Sequence, residues 1–307
     1  MKKYSVVFVL RAAWDWGAAS RLLFLGMAVL LAACATAPKP PQVPEVERFL
    51  GFPPGALGYL YVDTVKARPI LEVVLQDLMR GNPKTMAAAL DKTTKATAAL
   101  YPKGAPQRFL VAAQGRYPRF GASLSFTFSS AWKKRHAISG PSYWYSLRQG
   151  IGVRLETDRA IISDGEPLLL GESVVPQVPE AFASFAEEAA LSGWLTEGAM
   201  PLNQLLQTLG IPLQIPTGQV VFRLESWETG YQGLIRLETP SVSQAKALAS
   251  LFSLAGLFIG KQDLQGWGSI LFAHPPVQDG AVVTLQTGLL EPKELALLFS
   301  TFSVYSN

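Results

Sequence analysis

Residues 218–227, GQVVFRLESW, and 231–238, YQGLIRLE, are two strand-like runs separated by Glu228-Thr229-Gly230. Successive strand side chains point to opposite faces, so two such runs closed by a glycine-containing turn predict a β-hairpin. Residues 241–259 follow with apolar side chains at helical spacing and predict a helix. Residues 266–273 and 281–287 then read as returning strands. The order is strand, strand, helix, strand, strand.

The first half of the chain echoes that order. Residues 107–115 (QRFLVAAQG) and 120–128 (FGASLSFTF) read as two strands, a helical segment is expected from Ser129, and 142–149, 151–156 and 159–163 read as strands. An offset of about 112 residues aligns the leading strand pairs, which points to an internal repeat. Helical stretches precede each unit: 69–79 and 85–100 before the first, 180–191 and 202–209 before the second. Pro69 suits a first helical turn, and Gly81, Gly198 and Gly210 suit helix ends. An opening strand, 56–62, leads into Asp63-Thr64, either of which can cap the helix that follows. The expected fold class is α+β: two similar strand-strand-helix-strand-strand units whose mostly antiparallel sheets are covered by helices.

Apolar residues make up 49% of the 307-residue chain and charged residues 16%, far from the composition of a disordered protein. Charge is unevenly distributed. Residues 34–159 carry 18 Lys/Arg against 8 Asp/Glu, whereas 160–307 carry 5 against 14. The basic half suits anionic headgroups or an acidic partner, and the asymmetry is also accounted for by mutual attraction of the halves or by two solvated surfaces. Nucleic acid is not an expected partner, since no recognition motif accompanies the bases.

Near the amino end, Lys2, Lys3, Arg11 and Arg21 precede an apolar run, 22–33, which closes as Leu31-Ala32-Ala33-Cys34. Twelve apolar residues fall short of the about 20 that a membrane-spanning helix needs, so the run reads as a signal peptide. The segment resembles the lipobox of bacterial lipoproteins. That resemblance implies cleavage before Cys34, diacylglyceryl modification of its thiol, and lasting attachment to membrane lipid. Cys34 is also the single cysteine, so no intramolecular disulfide can form. Two or more acyl chains, each methylene contributing about 0.8 kcal/mol, anchor a protein where one chain does not. Pro38, Pro40, Pro41 and Pro44 then make 34–50 an extended tether of about 3 Å per residue. The domain reading is signal peptide 1–33, tether 34–50, basic half 51–167 and acidic half 168–307.

Three helical stretches bear on how such a protein meets a bilayer. Residues 247–259 contain no charge, and Leu248, Leu251, Phe252, Ala255 and Phe258 form one stripe, with Leu254, Leu257 and Ile259 outside it. Such a helix is either buried between layers or partly inserted in lipid. Residues 181–191 set Phe182 and Phe185 against Glu187 and Glu188, and 295–305 place aromatics at helical spacing. A lipidated end, a Pro-rich tether and an α/β body with apolar helices resemble the treponemal outer-membrane lipoproteins, which dip amphipathic helices into the inner leaflet. The resemblance implies membrane association.

Catalytic chemistry finds little support. His136 and His274 lie far apart and the cysteine is at the acylation site, so no metal or other cofactor is expected. Asp158, Asp164 and Glu166 lack calcium-loop spacing. Ser-x-x-Lys occurs at 130–133 and 243–246, each at an expected helix start, without the further elements of serine acyl-transfer enzymes. Trp132, Lys133, Lys134 and Arg135 put an aromatic beside bases, as suits headgroup or partner contact.

The sequence therefore predicts a non-enzymatic envelope lipoprotein, anchored through Cys34 and facing the periplasm from the outer membrane. Leu248, Leu251, Phe252, Phe258, Phe182 and Phe185 are its expected lipid contacts, and Trp132, Lys133, Lys134 and Arg135 its contacts to anionic headgroups or another envelope protein. The rival reading is a periplasmic carrier enclosing a hydrophobic ligand between its two halves.

Overall fold

The computed structural model describes residues 51–79, 87, 90–117, 126–127, 129–137, 140–169, 182, 189–196, 218–259, 270 and 272–295. The signal peptide, Cys34 and the tether lie outside the described residues, as do Phe185, the expected helix 202–209, and residues 120–125 and 128 of the strand expected over 120–128. Along the chain the elements are β1 (Gly58–Asp63), α1 (Arg68–Met79), β2 (Thr93–Leu100), β3 (Phe109–Gly115), β4 (Trp132–Arg135), β5 (Tyr143–Ser146), β6 (Ile151–Leu155), β7 (Arg159–Ser163), β8 (Leu191–Leu195), β9 (Val220–Trp227), β10 (Gly230–Glu238), α2 (Val242–Ile259), β11 (Val277–Asp279) and β12 (Val282–Leu290). Two compact units result, one of residues 1–56, 68–177 and 295–307, the other of 57–67 and 178–294.

Unit 1 orders its strands β2-β3-β7-β6-β5-β4, every neighbour antiparallel. Its centre is dry. Phe109, Leu110, Ile151, Val153, Ile161 and Ile162 are fully buried, because the central strands β3, β7 and β6 are apolar on one face and over part of the other. Asp164 closes this centre: its carboxylate accepts from Arg108 N at 2.8 Å and Arg108 Nε at 2.9 Å, joining the end of β7 to the start of β3.

Unit 2 orders its strands β11-β12-β10-β9-β8-β1, again antiparallel throughout. The β9–β10 hairpin turns between Trp227 and Gly230, as the alternation predicts, and its apolar face carries Val220 and Leu237. Helix α2 lies on that face. Ser241 caps it through its side-chain oxygen, which accepts from Gln244 N at 3.3 Å, and Ala245, Leu248 and Phe252 complete a core with Val283 and Leu285.

The expected fold class is overturned. The chain is built on twelve antiparallel strands, and α1 and α2 are the two helices longer than a turn among the described residues, so helices do not cover the sheets. Four expectations fail for identifiable reasons. Residues 93–100, TTKATAAL, were expected to end a helix but form β2, because small side chains can pair closely with β3: Ala96 faces Ala113 and Ala99 faces Leu110. Alanine's helix preference is worth only tenths of a kcal/mol per residue, which such long-range pairing outweighs. The expected helix from Ser129 is instead β4, held by register with β5 from Trp132↔Ser146 to Arg135↔Tyr143. Leu191, the expected end of a helix, begins β8, paired on both sides by β1 and β9. Residue 270 is helical and 272–274 form turns where a strand was expected, and that stretch packs Phe272 against Phe252 instead.

Candidate functional site

Helix α2 carries different chemistry on its two faces. Leu248 and Phe252 are 2% exposed and face the sheet, while Leu251, Leu254 and Leu257, one helical row further round, are 41%, 50% and 66% exposed. Lys246 is the last charged residue of the helix. Two serines share the outer face. Ser250 Oγ donates to the Lys246 carbonyl at 3.0 Å and Ser253 Oγ to the Ala249 carbonyl at 2.9 Å. Both hydroxyls are therefore satisfied inside the helix, which removes most of the cost of taking them out of water. The arrangement yields an outward apolar row whose polar atoms need no solvent. Among the described residues no helix is long and apolar enough to cross a membrane.

The structure thus divides the expected lipid-contact set. Leu251 lies on the outer face, Leu248 and Phe252 in the core of unit 2, and Phe182 is fully buried. Phe258 belongs to α2, but its side chain, like Phe185, lies outside the described residues. Sequence reasoning assigned no contact to Leu254 and Leu257. Their signal was present, since they fall outside the apolar stripe of a helix that has only one face to bury.

Trp132, Lys133, Lys134 and Arg135 form β4, an edge strand of unit 1. Lys133, Lys134 and Arg135 are exposed, and Trp132 is half-buried. The strand's two faces differ. Trp132 packs against Phe126, their rings 4.7 Å apart, and Phe126 also meets Trp144 at 5.7 Å. On the other side the Arg135 guanidinium sits 3.9 Å from the Tyr145 ring centroid, a cation–π contact.

Several other titratable groups have structural occupations. His136 Nδ1 and Ser142 Oγ are 3.0 Å apart. Of the acids at 158, 164 and 166, Asp164 is engaged by Arg108 and Asp158 lies 3.8 Å from Arg159 Nε. Ser130 and Lys133 lie on a turn and a strand, so that tetrad does not occupy a helix; Ser243 and Lys246 occupy the start of α2 and are exposed. Burial pushes the Tyr231 hydroxyl up to about 12 and raises those of Tyr59 and Tyr117. Tyr231 donates to the Lys66 carbonyl at 2.8 Å, and Tyr117 shares a 2.9 Å hydrogen bond with Thr93.

No protein-family model and no curated protein matches the chain. Solved structures do. Crystal form III of TP0453 superposes with a TM-score of 0.56 at 15% identity, covering 86% of this chain and 100% of that one. Form I gives 0.57 at 15% identity with the same coverage, and form IV 0.55 at 17%, covering 80% and 93%. At such identity the likeness is one of fold, and this chain shares the fold of TP0453.

Proposed function

We propose that the protein is a non-enzymatic envelope lipoprotein, anchored through acylated Cys34, that lays the outer face of α2 against the membrane. The observation that carries this reading is the row Leu251, Leu254 and Leu257 beside serines whose hydroxyls are bonded within the helix. Fold similarity to TP0453, a treponemal outer-membrane-associated lipoprotein, supports the envelope assignment, and the lipobox-like Leu31-Ala32-Ala33-Cys34 supports the anchor.

Magnitudes decide how face and anchor divide the work. Three half-exposed leucines gain roughly 1 kcal/mol each on leaving water, about 3 kcal/mol together, which is weaker than a millimolar affinity. Such a face cannot recruit the protein by itself. It acts on a chain that the acyl groups already hold at the surface, where it sets orientation and depth.

Because acylation consumes the single native thiol, a cysteine introduced on α2 can be labelled alone. The acylated chain bearing Leu254→Cys or Leu257→Cys with a polarity-sensitive fluorophore, reconstituted in vesicles, should show a blue-shifted emission quenched by lipid-borne nitroxides. Val277→Cys, on β11, should not. Labels on α2 that remain quenchable only from water would defeat the proposal.

A further inference from the structure

Unit 1 holds a cationic face that the lipid reading does not use. Arg154 on β6 pairs with Ile161 on β7, and Glu156 N donates to the Arg159 carbonyl at 2.8 Å, so Arg154, Glu156 and Arg159 share one side of the sheet. Glu156 divides its carboxylate between them: Oε1 accepts from Arg154 Nη2 at 2.7 Å, and Oε2 lies 3.3 Å from Arg159 Nε. Two further cations join that side. Trp144 faces Val153, which brings Tyr143, and Arg135 across from it, into the row of Arg154, while Lys95 faces Gln114, itself opposite Arg159. The same side thus carries Arg154, Arg159, Arg135 and Lys95, of which Arg154 and Arg159 engage Glu156, while Asp158, 71% exposed, lies 3.8 Å from Arg159.

Arg154 is the centre of this arrangement. It is 9% exposed, yet its Nε–H has no partner among the described residues. A guanidinium so far from water ordinarily has its N–H groups paired, because an orphaned donor keeps its full desolvation cost. The wall beside it is specific. A side chain at Gly152 would come within 2.6 Å of the Gly165 carbonyl and 2.9 Å of Pro167 Cδ, so that loop closes directly over the strand that carries Arg154. Tyr143, 6% exposed, shares its row.

We propose that this face of unit 1 is a phosphate-binding site, with Arg154 as its ligand and Arg159 and Arg135 as flanking cations. A third carboxylate, beyond Glu156 and Asp158, would leave part of the positive charge uncompensated. A phosphate group carries up to two negative charges and three or more acceptor oxygens, and it bridges several guanidiniums. The same chemistry is offered by inorganic phosphate and by the phosphomonoester headgroup of phosphatidic acid.

Calorimetric titration of the full chain in detergent micelles, with inorganic phosphate and separately with dihexanoyl phosphatidic acid, separates these sources. Saturable binding of either is expected, and phosphatidic acid binding about tenfold tighter than phosphate would assign a lipid headgroup. Equal affinities assign free phosphate. Arg154→Gln should weaken binding about tenfold or more, and Glu156→Gln, which releases both arginines, should strengthen it about threefold or more. Arg236→Gln, in unit 2, should change nothing. The opposite signs of the two site variants keep the result distinct from loss of folding. Absence of saturable binding to either probe, or affinities unchanged in both site variants, overturns the proposal. Because the site does not involve α2, its failure leaves the lipid reading standing.

Discussion

Single side chains in this protein close the ends of sheets. Asp63 at the end of β1 accepts from Val65 N and Lys66 N at 3.1 Å each, so the capping expected of Asp63-Thr64 falls to the aspartate and turns the chain towards α1. The carbonyl of Lys66 in that turn accepts from Tyr231, which ties the start of unit 2 to its central hairpin. Burial of the Tyr231 hydroxyl makes stability sensitive to alkali. The Tyr231 hydroxyl ionises at 10.0 when free and at about 12 in the folded chain, so its contribution is fully present below pH 10 and is lost as pH rises through about 12. Tyr59 and Tyr117, also raised by burial, act in the same direction. Urea midpoints should therefore fall on going above pH 10, and Tyr231→Phe should flatten the fall while costing about 0.5–1.5 kcal/mol at neutral pH. An unchanged slope in that variant would show that Tyr231 does not report the alkaline transition.

Elements show how the edges of the sheet are managed. The edge β4 is short and carries Lys133, Lys134 and Arg135, charged side chains of the kind that prevent a free edge from pairing with another chain. In unit 2 the edge strand β11 is only three residues long. Replacing Lys133 and Lys134 together with valine should raise the apparent mass in size-exclusion light scattering, through edge-to-edge pairing. A mass equal to that of the parent would assign the bases to ligand or partner contact alone. Helix α2 illustrates a different compromise: its inner face needs apolar residues for the core, and its outer face keeps leucines that folding of unit 2 does not require.

For the whole molecule, anchorage and charge belong together. Removal of 1–33 would leave 23 basic and 22 acidic residues, a nearly neutral body whose basic residues concentrate before position 160. Bulk attraction to an anionic surface is then weak, and under the proposed function attachment would fall to the acyl groups, at about 0.8 kcal/mol per buried methylene. Intact-mass spectrometry of the membrane-extracted protein should give a chain beginning at Cys34 plus two or three acyl groups. A retained leader, or an unmodified thiol, would remove the anchor from the proposed function.

Some features were legible in the sequence because they are local. The β9–β10 hairpin, α2, β3, β6, β7 and β12 follow from alternation, helical period and turn residues within about 20 positions. The lipobox-like motif is likewise a matter of adjacent residues. Other features were decided by tertiary pairing: TTKATAAL became β2 because β3 offered it small partners, Leu191 began β8 because β1 and β9 flank it, and the residues after Ser129 became an edge strand through register with β5. In the candidate sites, composition announced an apolar helix and a basic half, while the sheet beneath α2 determined which leucines remain outside. Likewise the successive pairings of β4 with β5, β5 with β6 and β6 with β7 placed Arg135, Arg154 and Arg159 on one face. Short-range patterns encode local conformation, whereas burial and the convergence of charge depend on which strands pair and in which register, and those contacts exist only once the chain has folded.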